Sequence, residues 1–191
     1  MPRDDNAVNI EKRPYHHGGL RAALIEEGLR LLGEGDVDTL SLRQVARNVG
    51  VTATSVYRHF PDKQALMTAL AREGLDRLAA AQRQAFEEAG GAAAGFAATG
   101  RAYVRFALAN PALFRLIFAS PPAPTAEADG EPDAMTFLRQ NAAAASGAPL
   151  DSPAARVEAV HAWSLVHGLA MLMLDGQIPA DAQLIDQVIR D

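Results

Sequence analysis

The stretch Ser41 to Phe60, SLRQVARNVGVTATSVYRHF, predicts two short helices joined by a tight turn. Ser41 and Gln44 fit a capping box, in which two side chains satisfy free N–H groups at a helix start. Gly50 is expected to end the first helix, because glycine adopts a left-handed backbone at least cost. Thr52 is expected to cap the second helix. The apolar positions at helical spacing are Leu42, Val45, Ala46 and Val49, then Val56 and Phe60.

The second of these helices has an outer face suited to DNA. Small hydrogen-bonding groups, one aromatic hydroxyl and two potential cations fit an element that enters the major groove. The residues on this face are Ala53, Thr54, Ser55, Tyr57, Arg58 and His59. A capped helix, a glycine and a second helix also occur in purely structural helical hairpins, so this pattern by itself does not separate the two.

The wider pattern resembles the DNA-binding domain of the TetR family of transcriptional regulators, over roughly residues 17 to 66. The matching positions are Leu42, Val45, Ala46, Gly50, Val51, Val56, Tyr57, Phe60, Asp62 and Lys63. The resemblance implies that Arg43, Thr54, Ser55 and Tyr57 meet bases or phosphates. It also implies that Thr52, His59 and Lys63 contact the DNA backbone. Ala53 offers only a methyl group at its position.

Three further segments are similar to parts of TetR proteins. Tyr15-His16-His17-Gly18 resembles the entry to the first helix in one subgroup, and Asn110 to Phe118 resembles the segment after the fifth helix. Trp163, His167 and Gly168 resemble the Trp-x-x-x-His-Gly signature of a subgroup's C-terminal domain. The resemblance implies a homodimer on a partly palindromic operator, and repression that ends when a small ligand rotates the DNA-binding domains apart. The family also contains activators.

The fold expected from these patterns is all-α. A three-helix helix-turn-helix domain is joined by a long fourth helix to a helical domain for ligand binding and dimerisation. The expected divisions are a flexible arm at 1–14, the DNA-binding domain at 15–62 and the C-terminal domain at 63–191. In the arm, Lys12 and Arg13 either reach along the DNA or belong to a frayed terminus. Asp62 is expected to cap the fourth helix, and Asn110 with Pro111 to start the sixth. Ser152 with Pro153 is expected to start the long C-terminal helix in the same way.

Charge is unevenly divided along the chain. The formal net charge is −5. Lys12 to Lys63 holds eight basic and six acidic residues, whereas Ala79 to Asp191 holds seven basic and twelve acidic residues. Because local charge governs attraction to phosphates, the N-terminal half is the half expected to bind DNA.

The remaining composition bears on location and partners. The chain has no cysteine, which excludes disulfides and thiolate metal sites, and it opens with no apolar leader. The apolar run from Ala162 to Leu174 is shorter than the ~20 residues a bilayer requires, which favours a buried helix and no membrane partner. A cytoplasmic protein is therefore expected. Val160 and Leu169 are trial positions for a face of this helix that meets a second copy; the alternative for one of them is a place in the core.

The C-terminal half is expected to hold a hydrophobic ligand. Apolar side chains with a few polar groups are typical of a small-molecule pocket. The candidate residues are Phe96, Tyr103, Phe106, Phe114, Phe118, Phe137, Trp163 and His167. Most of them must be core at this helical spacing, and His167 is also interpretable as a hydrogen-bonded core histidine.

No catalytic or cofactor motif accompanies this pattern. The chain lacks a glycine-rich phosphate loop, a nucleophile elbow and a paired-histidine zinc helix. His161 and His167 fall on different helix faces, which excludes a shared local metal site. We therefore expect no cofactor, no metal and no enzyme. Two alternatives stay open: a DNA-binding dimer without an inducer, and a helical small-molecule enzyme that keeps a non-binding helix-turn-helix.

Overall fold

The computed structural model describes residues 17–119 and 134–190, and within these ranges the protein consists of nine α-helices and no strand. The predicted arm at 1–14 lies outside the described residues, as does the whole of the proline-rich segment 120–133. The helices are α1 His17–Glu34, α2 Leu42–Val49, α3 Ala53–His59, α4 Lys63–Glu88, α5 Ala92–Ala109, α6 Pro111–Ala119, α7 Ala134–Ser146, α8 Pro153–Leu174 and α9 Ala182–Val188. The all-α prediction is confirmed.

Most helix ends follow the local rules read from the sequence. Gly50 has a φ of 79°, the left-handed conformation expected after α2. Thr52 Oγ1 accepts from Ser55 N at 3.2 Å, and Asp62 Oδ1 accepts from Ala65 N at 2.7 Å. Ser152 Oγ accepts from Ala155 N at 3.1 Å at the start of α8. These are chain-local contacts, which explains why the sequence predicts them.

The predicted capping box at Ser41 is wrong, and the predicted start of α6 at Asn110 and Pro111 is confirmed. The Ser41 side chain makes no cap hydrogen bond, so no capping box forms; the Ser41 carbonyl instead accepts from Gln44 N at 3.0 Å. Helix α6 begins at Pro111 as predicted, and the Asn110 carbonyl accepts from Phe114 N at 2.8 Å. The Asn110 side chain donates back to the Phe106 carbonyl at 3.0 Å, at the end of α5. The chain bends by 107° between α5 and α6 at this residue.

The first hydrophobic core joins α1–α3 to both α4 and α6. Leu66 and Leu70 of α4 are fully buried in it. Leu116 and Ile117 of α6 are buried in the same core. At Gly74 an added Cβ would lie 2.8 Å from Leu113 Cδ1, so α4 and α6 approach closely there. The core of the DNA-binding half thus extends past the predicted boundary at residue 63.

The second core lies between α4, α5, α6, α8 and α9. Leu78 of α4 is buried in it, so α4 contributes to both cores. Arg101 of α5 reaches α9, where Nη1 donates to the Ile189 carbonyl at 2.9 Å. Helix α4 therefore packs against the DNA-binding half at one end and against the C-terminal half at the other.

Helix α8 has one buried side and one exposed apolar side. Val160 is 54% exposed, whereas Leu169 is 7% exposed and belongs to the second core. Of the two trial positions, Val160 therefore lies on the exposed side and Leu169 in the core. The other large apolar side chains exposed on α8 are Val157, Leu165 and Leu172.

The apolar run from Ala162 to Leu174 is only part of α8, so the length of the run does not decide whether the helix could span a membrane. The apolar run belongs to a longer helix of 22 residues, which is long and apolar enough to cross a bilayer by length and composition alone. Burial on nearly all sides, expected from its composition, is not observed within the single chain. Val166 and Leu169 nevertheless pack into the second core.

Candidate nucleic-acid interface and ligand cavities

The recognition helix α3 is anchored by apolar side chains and presents polar ones. Val56 is fully buried and Phe60 is 2% exposed. On the opposite side Tyr57 is 45% exposed. The other predicted DNA-binding residues are exposed at Arg43, Thr52, Ala53, Thr54 and Arg58, and half-buried at Ser55, His59 and Lys63. The predicted residues thus lie on α2, on α3 with its cap, and in the first turn of α4.

Two of these residues already bond to each other. Thr52 Oγ1 and Ser55 Oγ lie 2.9 Å apart, in addition to the cap hydrogen bond from Ser55 N. The pair sits at the N-terminal end of α3. The Ser55 hydroxyl is consequently held in place before any ligand arrives, which lowers the entropic cost of using it in recognition.

Lys63 has a partner that the sequence did not reveal. A cation in the first turn of a helix opposes the helix dipole, which favours a partner for this lysine. Lys63 Nζ donates to the Asp38 carbonyl at 2.9 Å. This bond ties α4 to the loop between α1 and α2, and it gives the lysine a structural role within the chain.

Arg21 adds a positive charge near the surface formed by α3, and the sequence pattern did not indicate this position. Its guanidinium carbon lies 5.4 Å from the centroid of the Phe60 ring, a cation–π geometry. The contact places a positive charge from α1 beside the C-terminal end of α3. No local motif could have found it, because the two residues are far apart in sequence.

Helix α1 is tied to α2 by a charged contact. Asn48 Nδ2 donates to Glu27 Oε1 at 2.7 Å, and Arg30 Nη2 donates to the same oxygen at 2.7 Å. The hydrogen bond from Arg30 is the main cause that lowers the pKa of Glu27, to about 2. The carboxylate therefore stays ionised over the physiological range and braces the helix-turn-helix.

An aromatic cluster with an internal hydrogen-bond relay lies in the C-terminal half. Trp163 Nε1 donates to Tyr103 Oη at 3.3 Å, and Tyr103 Oη lies 2.9 Å from His167 Nδ1. An indole N–H can only donate, so the tyrosine oxygen accepts from Trp163. Which atom donates between Tyr103 and His167 depends on the tautomer of the histidine. Phe114 and Phe118 stack around the histidine ring.

Burial keeps this cluster uncharged. Desolvation raises the pKa of Tyr103, and the hydrogen bond from Trp163 opposes this to a lesser extent. Desolvation also lowers the pKa of His167. Both side chains are therefore neutral near pH 7, which suits an apolar environment.

The predicted ligand residues do not form one site. Tyr103, Trp163 and His167 meet in the aromatic cluster together with Phe114 and Phe118. Phe137 instead packs edge-on against Phe86 at 5.7 Å between ring centroids. Phe106 packs against both hydrophobic cores, and Phe96 lines a separate cavity.

Two cavities lie beside the cluster. The smaller, of about 100 Å³, is lined by Tyr103, Phe118 and Trp163. The larger, of about 450 Å³, lies between α4, α5, α7, α8 and α9 and includes Phe96 and His161. The sequence missed three residues that line both cavities, Gln82, Leu138 and Val166, because their shared location depends on how three helices pack.

A third cleft, of about 350 Å³, separates the two halves of the protein. It is lined by α1, α4 and the corner between α5 and α6. Arg77 of α4 forms an ion pair there with Glu26 of α1. Among residues 17–119 and 134–190, no group of three histidine or acidic side chains could hold a metal ion.

The chain matches two family profiles that together span most of this architecture. Residues 24–70 match "Bacterial regulatory proteins, tetR family", and residues 96–191 match "Tetracyclin repressor-like, C-terminal domain". The first match covers α2, α3, most of α1 and the start of α4. The second covers both cavities apart from the residues that α4 and the start of α5 contribute.

Individual proteins show the same likeness. A solved structure of a protein of unknown function from Rhodococcus sp. RHA1 is 38% identical, with a TM-score of 0.73 over 91% of this chain and 93% of that one. The HTH-type transcriptional regulator Rv1816 of Mycobacterium tuberculosis is 32% identical over 59% of this chain and 49% of its own length. The class D tetracycline repressor protein of Escherichia coli is 39% identical over 30% of this chain and 26% of its own length.

The chain spans about half the length, or less, of the curated relatives it matches. The likeness to the Rhodococcus protein, by contrast, covers nearly the full length of both chains. The C-terminal profile alone spans half of the sequence, and the N-terminal profile covers the helix-turn-helix that the structure displays. By these matches the protein is a member of the TetR family of transcriptional regulators.

Proposed function

We propose that the protein is a homodimeric repressor that leaves a palindromic operator when a small hydrophobic ligand binds its C-terminal half in the cytoplasm. The observation that carries this proposal is that α4 and α6 each contribute buried residues to both hydrophobic cores. Buried residues of α6 lie in the same core as the helix-turn-helix, while Phe114 of α6 belongs to the second core. A ligand that shifts these helices therefore acts directly on the packing that orients α3.

The DNA contacts of the proposal come from α2, α3 and the start of α4. Thr54, Tyr57 and Arg58 are exposed on α3, where they reach base edges or phosphates. Arg43 of α2 is exposed as well. Thr52, His59 and Lys63 contact the DNA backbone, and Ala53 and Ser55 complete the face. One such unit makes few base contacts, so two-fold pairing on a symmetric site is needed for useful specificity.

The pairing surface of the proposal is the exposed face of α8. Val157, Val160 and Leu172 are each about half exposed, and they repeat at helical spacing along one side. A Cβ added at Gly168 on that side would meet nothing within 4 Å, which leaves room for a second helix. An exposed apolar face of this kind marks an interaction site, and a two-fold dimer buries the same face of each copy.

The ligand of the proposal binds among the C-terminal helices, in the cavities lined by Phe96, Tyr103, Phe118 and Trp163. His167 is hydrogen-bonded to Tyr103, and Phe114 packs edge-on against the same tyrosine. The lining is mainly apolar with a few hydrogen-bonding groups, as in other small-molecule sites. Trp163 lines the smaller cavity, so its emission reports occupancy.

Fluorescence anisotropy on labelled DNA from upstream of the protein's own coding region tests this function. The full chain should bind that DNA more tightly than unrelated DNA of the same length, and binding should weaken with salt. Apolar compounds that change Trp163 emission should weaken operator binding, by about 1–3 kcal/mol, and operator should weaken their binding equally. No preference for any upstream DNA would overturn the proposal. Specific DNA binding that no ligand alters would leave a DNA-binding dimer without an inducer.

A further inference from the structure

Two polar side chains are buried within the described residues, and both line the larger cavity. Gln82 of α4 is 8% exposed and Thr99 of α5 is 5% exposed. Burying a polar group is costly unless it has a hydrogen-bond partner. Both side chains lie at the same cavity and not in the hydrophobic cores. We therefore ask which hydrogen bonds each of them forms there.

Thr99 has a local reason to be there, whereas Gln82 does not. Thr99 Oγ1 donates to the Phe96 carbonyl at 2.7 Å, one turn back on the same helix. Gln82 Nε2 reaches the Thr99 carbonyl at 3.4 Å, longer than the usual range for an N–H···O bond. A primary amide offers two donors and an accepting oxygen, so this weak contact uses little of its capacity.

Gln82 also stands between the two cavities. The residues that line both are Gln82, Leu138 and Val166. Two of these three are apolar, so Gln82 is the hydrogen-bonding group of the partition. A molecule that extends from one cavity into the other would lie beside these three side chains, of which only Gln82 can form a hydrogen bond.

The surroundings disfavour a charged ligand. Phe96, Leu165 and Ile189 contribute to the apolar wall of the larger cavity. Its two ionic side chains, Glu158 and Arg190, carry opposite formal charges. An ionised ligand would give up its hydration for a lining with no net opposite charge.

We propose that the two cavities form one site for an uncharged, elongated molecule with two apolar lobes joined by a hydrogen-bonding group, which binds Gln82. This deepens the proposed function, on which it rests, because such a molecule is the class of effector expected. Gln82 lies on α4, 19 residues beyond Lys63, or about 28 Å along the helix axis at its usual rise. The bond is made on the helix that carries the DNA-binding half.

N-phenyl-1-naphthylamine is a suitable probe. It is uncharged, its two aromatic lobes are joined by one N–H, and it fluoresces in apolar surroundings. We compare it with 1-benzylnaphthalene, in which a methylene replaces the N–H, and with 8-anilinonaphthalene-1-sulfonate, which adds a negative charge to the same body. The last two are measured by displacement of the first from the full-length protein.

The variants are Gln82→Met and, as control, Gln84→Met. Methionine keeps the length of glutamine and removes its hydrogen bonds. Gln84 is exposed on the same helix and bonds to Glu88, so its replacement leaves the cavities intact. Thermal unfolding and sedimentation check that both variants keep the parent's fold and assembly.

In the parent, N-phenyl-1-naphthylamine should bind about three- to tenfold more tightly than 1-benzylnaphthalene, as expected for one hydrogen bond. The sulfonate should bind more weakly than either. Gln82→Met should remove the preference for the N–H while leaving 1-benzylnaphthalene affinity unchanged, and Gln84→Met should change neither. The comparison of probes in the parent tests the proposal even if Gln82→Met fails to fold.

A parent that binds none of the probes, prefers the sulfonate or shows no preference for the N–H would overturn the inference, as would a Gln82→Met variant that keeps that preference. These outcomes differ from failure of the proposed function. If compounds release the operator but bind Gln82→Met and the parent equally, the proposed repressor function stands and the proposed site at Gln82 is wrong. If the probes bind as expected but do not change the affinity for operator, the site at Gln82 stands and induction through that site is wrong.

Discussion

At the residue scale, Lys63 combines an internal bond with a position at the proposed DNA surface. We expect Lys63→Ala to weaken binding to all DNA sequences alike and to lower the slope of log affinity against log salt by about one unit, because one phosphate contact is lost. Anisotropy titrations at several salt concentrations measure both effects. Arg72→Ala is a matched control, since it removes a cation that is paired with Asp76 later on α4. An unchanged salt slope for Lys63→Ala would limit the lysine to its bond with Asp38.

His167 makes the stability of the protein depend on pH. Its pKa is lower in the folded than in the unfolded protein because burial disfavours the imidazolium. The unfolded chain therefore binds the proton more tightly. The resulting stability is fully present above the unfolded pKa of about 6.5 and is lost as pH falls below it towards the folded pKa.

Urea unfolding of the parent and of His167→Gln between pH 8 and pH 5.5 measures this dependence. We expect the free energy of unfolding of the parent to fall more steeply below pH 6.5 than that of the variant, which has no imidazole to protonate at this position. His161→Gln, at an exposed position on the same helix, is the control and should follow the parent. Parallel curves for His167→Gln and parent would contradict this explanation.

At the scale of the element, the two sides of α8 predict opposite results for the same chemical change. Val160→Glu places a charge on the exposed face, so the chain should fold but pair poorly, since pairing would bury an unpaired charge at a cost of several kcal/mol. Leu169→Glu places it in the second core and should prevent stable folding. Sedimentation velocity and thermal unfolding separate the two outcomes. A Val160→Glu protein that remains dimeric, or a wild-type monomer at micromolar concentration, would show that this face does not pair.

At the scale of the whole molecule, the first hydrophobic core crosses the predicted boundary between residues 62 and 63. The core of the helix-turn-helix includes Leu66 and Leu70 of α4 and Leu116 and Ile117 of α6. A fragment of residues 1–62 lacks all four and exposes the apolar surface they cover. We therefore expect it to be unfolded, as measured by circular dichroism and by poor dispersion of its amide resonances. A fragment of residues 1–119 contains these partners and should retain more helix. Native-like dispersion for 1–62 would show that α1–α3 are independent of α4 and α6.

What the sequence by itself determined is the local architecture and the family. The helix ends at Gly50, Thr52, Asp62 and Ser152 follow the sequence because each depends on atoms a few residues apart. The recognition helix was predictable for the same reason, since Val56 and Phe60 leave only one side free for polar groups. The matches to TetR profiles confirm the family that those positions indicated.

Only the tertiary structure decided which residues meet across the chain. Composition could not orient α8, because apolar residues occur around most of its circumference and periodicity does not select the side that meets the core. The packing of α8 against the second core decided that Leu169 is buried and Val160 exposed. The bond of Lys63 to Asp38 and the relay from Trp163 through Tyr103 to His167 join residues far apart in sequence. Gln82 carried no sequence signal, because a glutamine on a long helix is ordinarily solvated, and its burial between two cavities results from the packing of α4 against α5, α7 and α8.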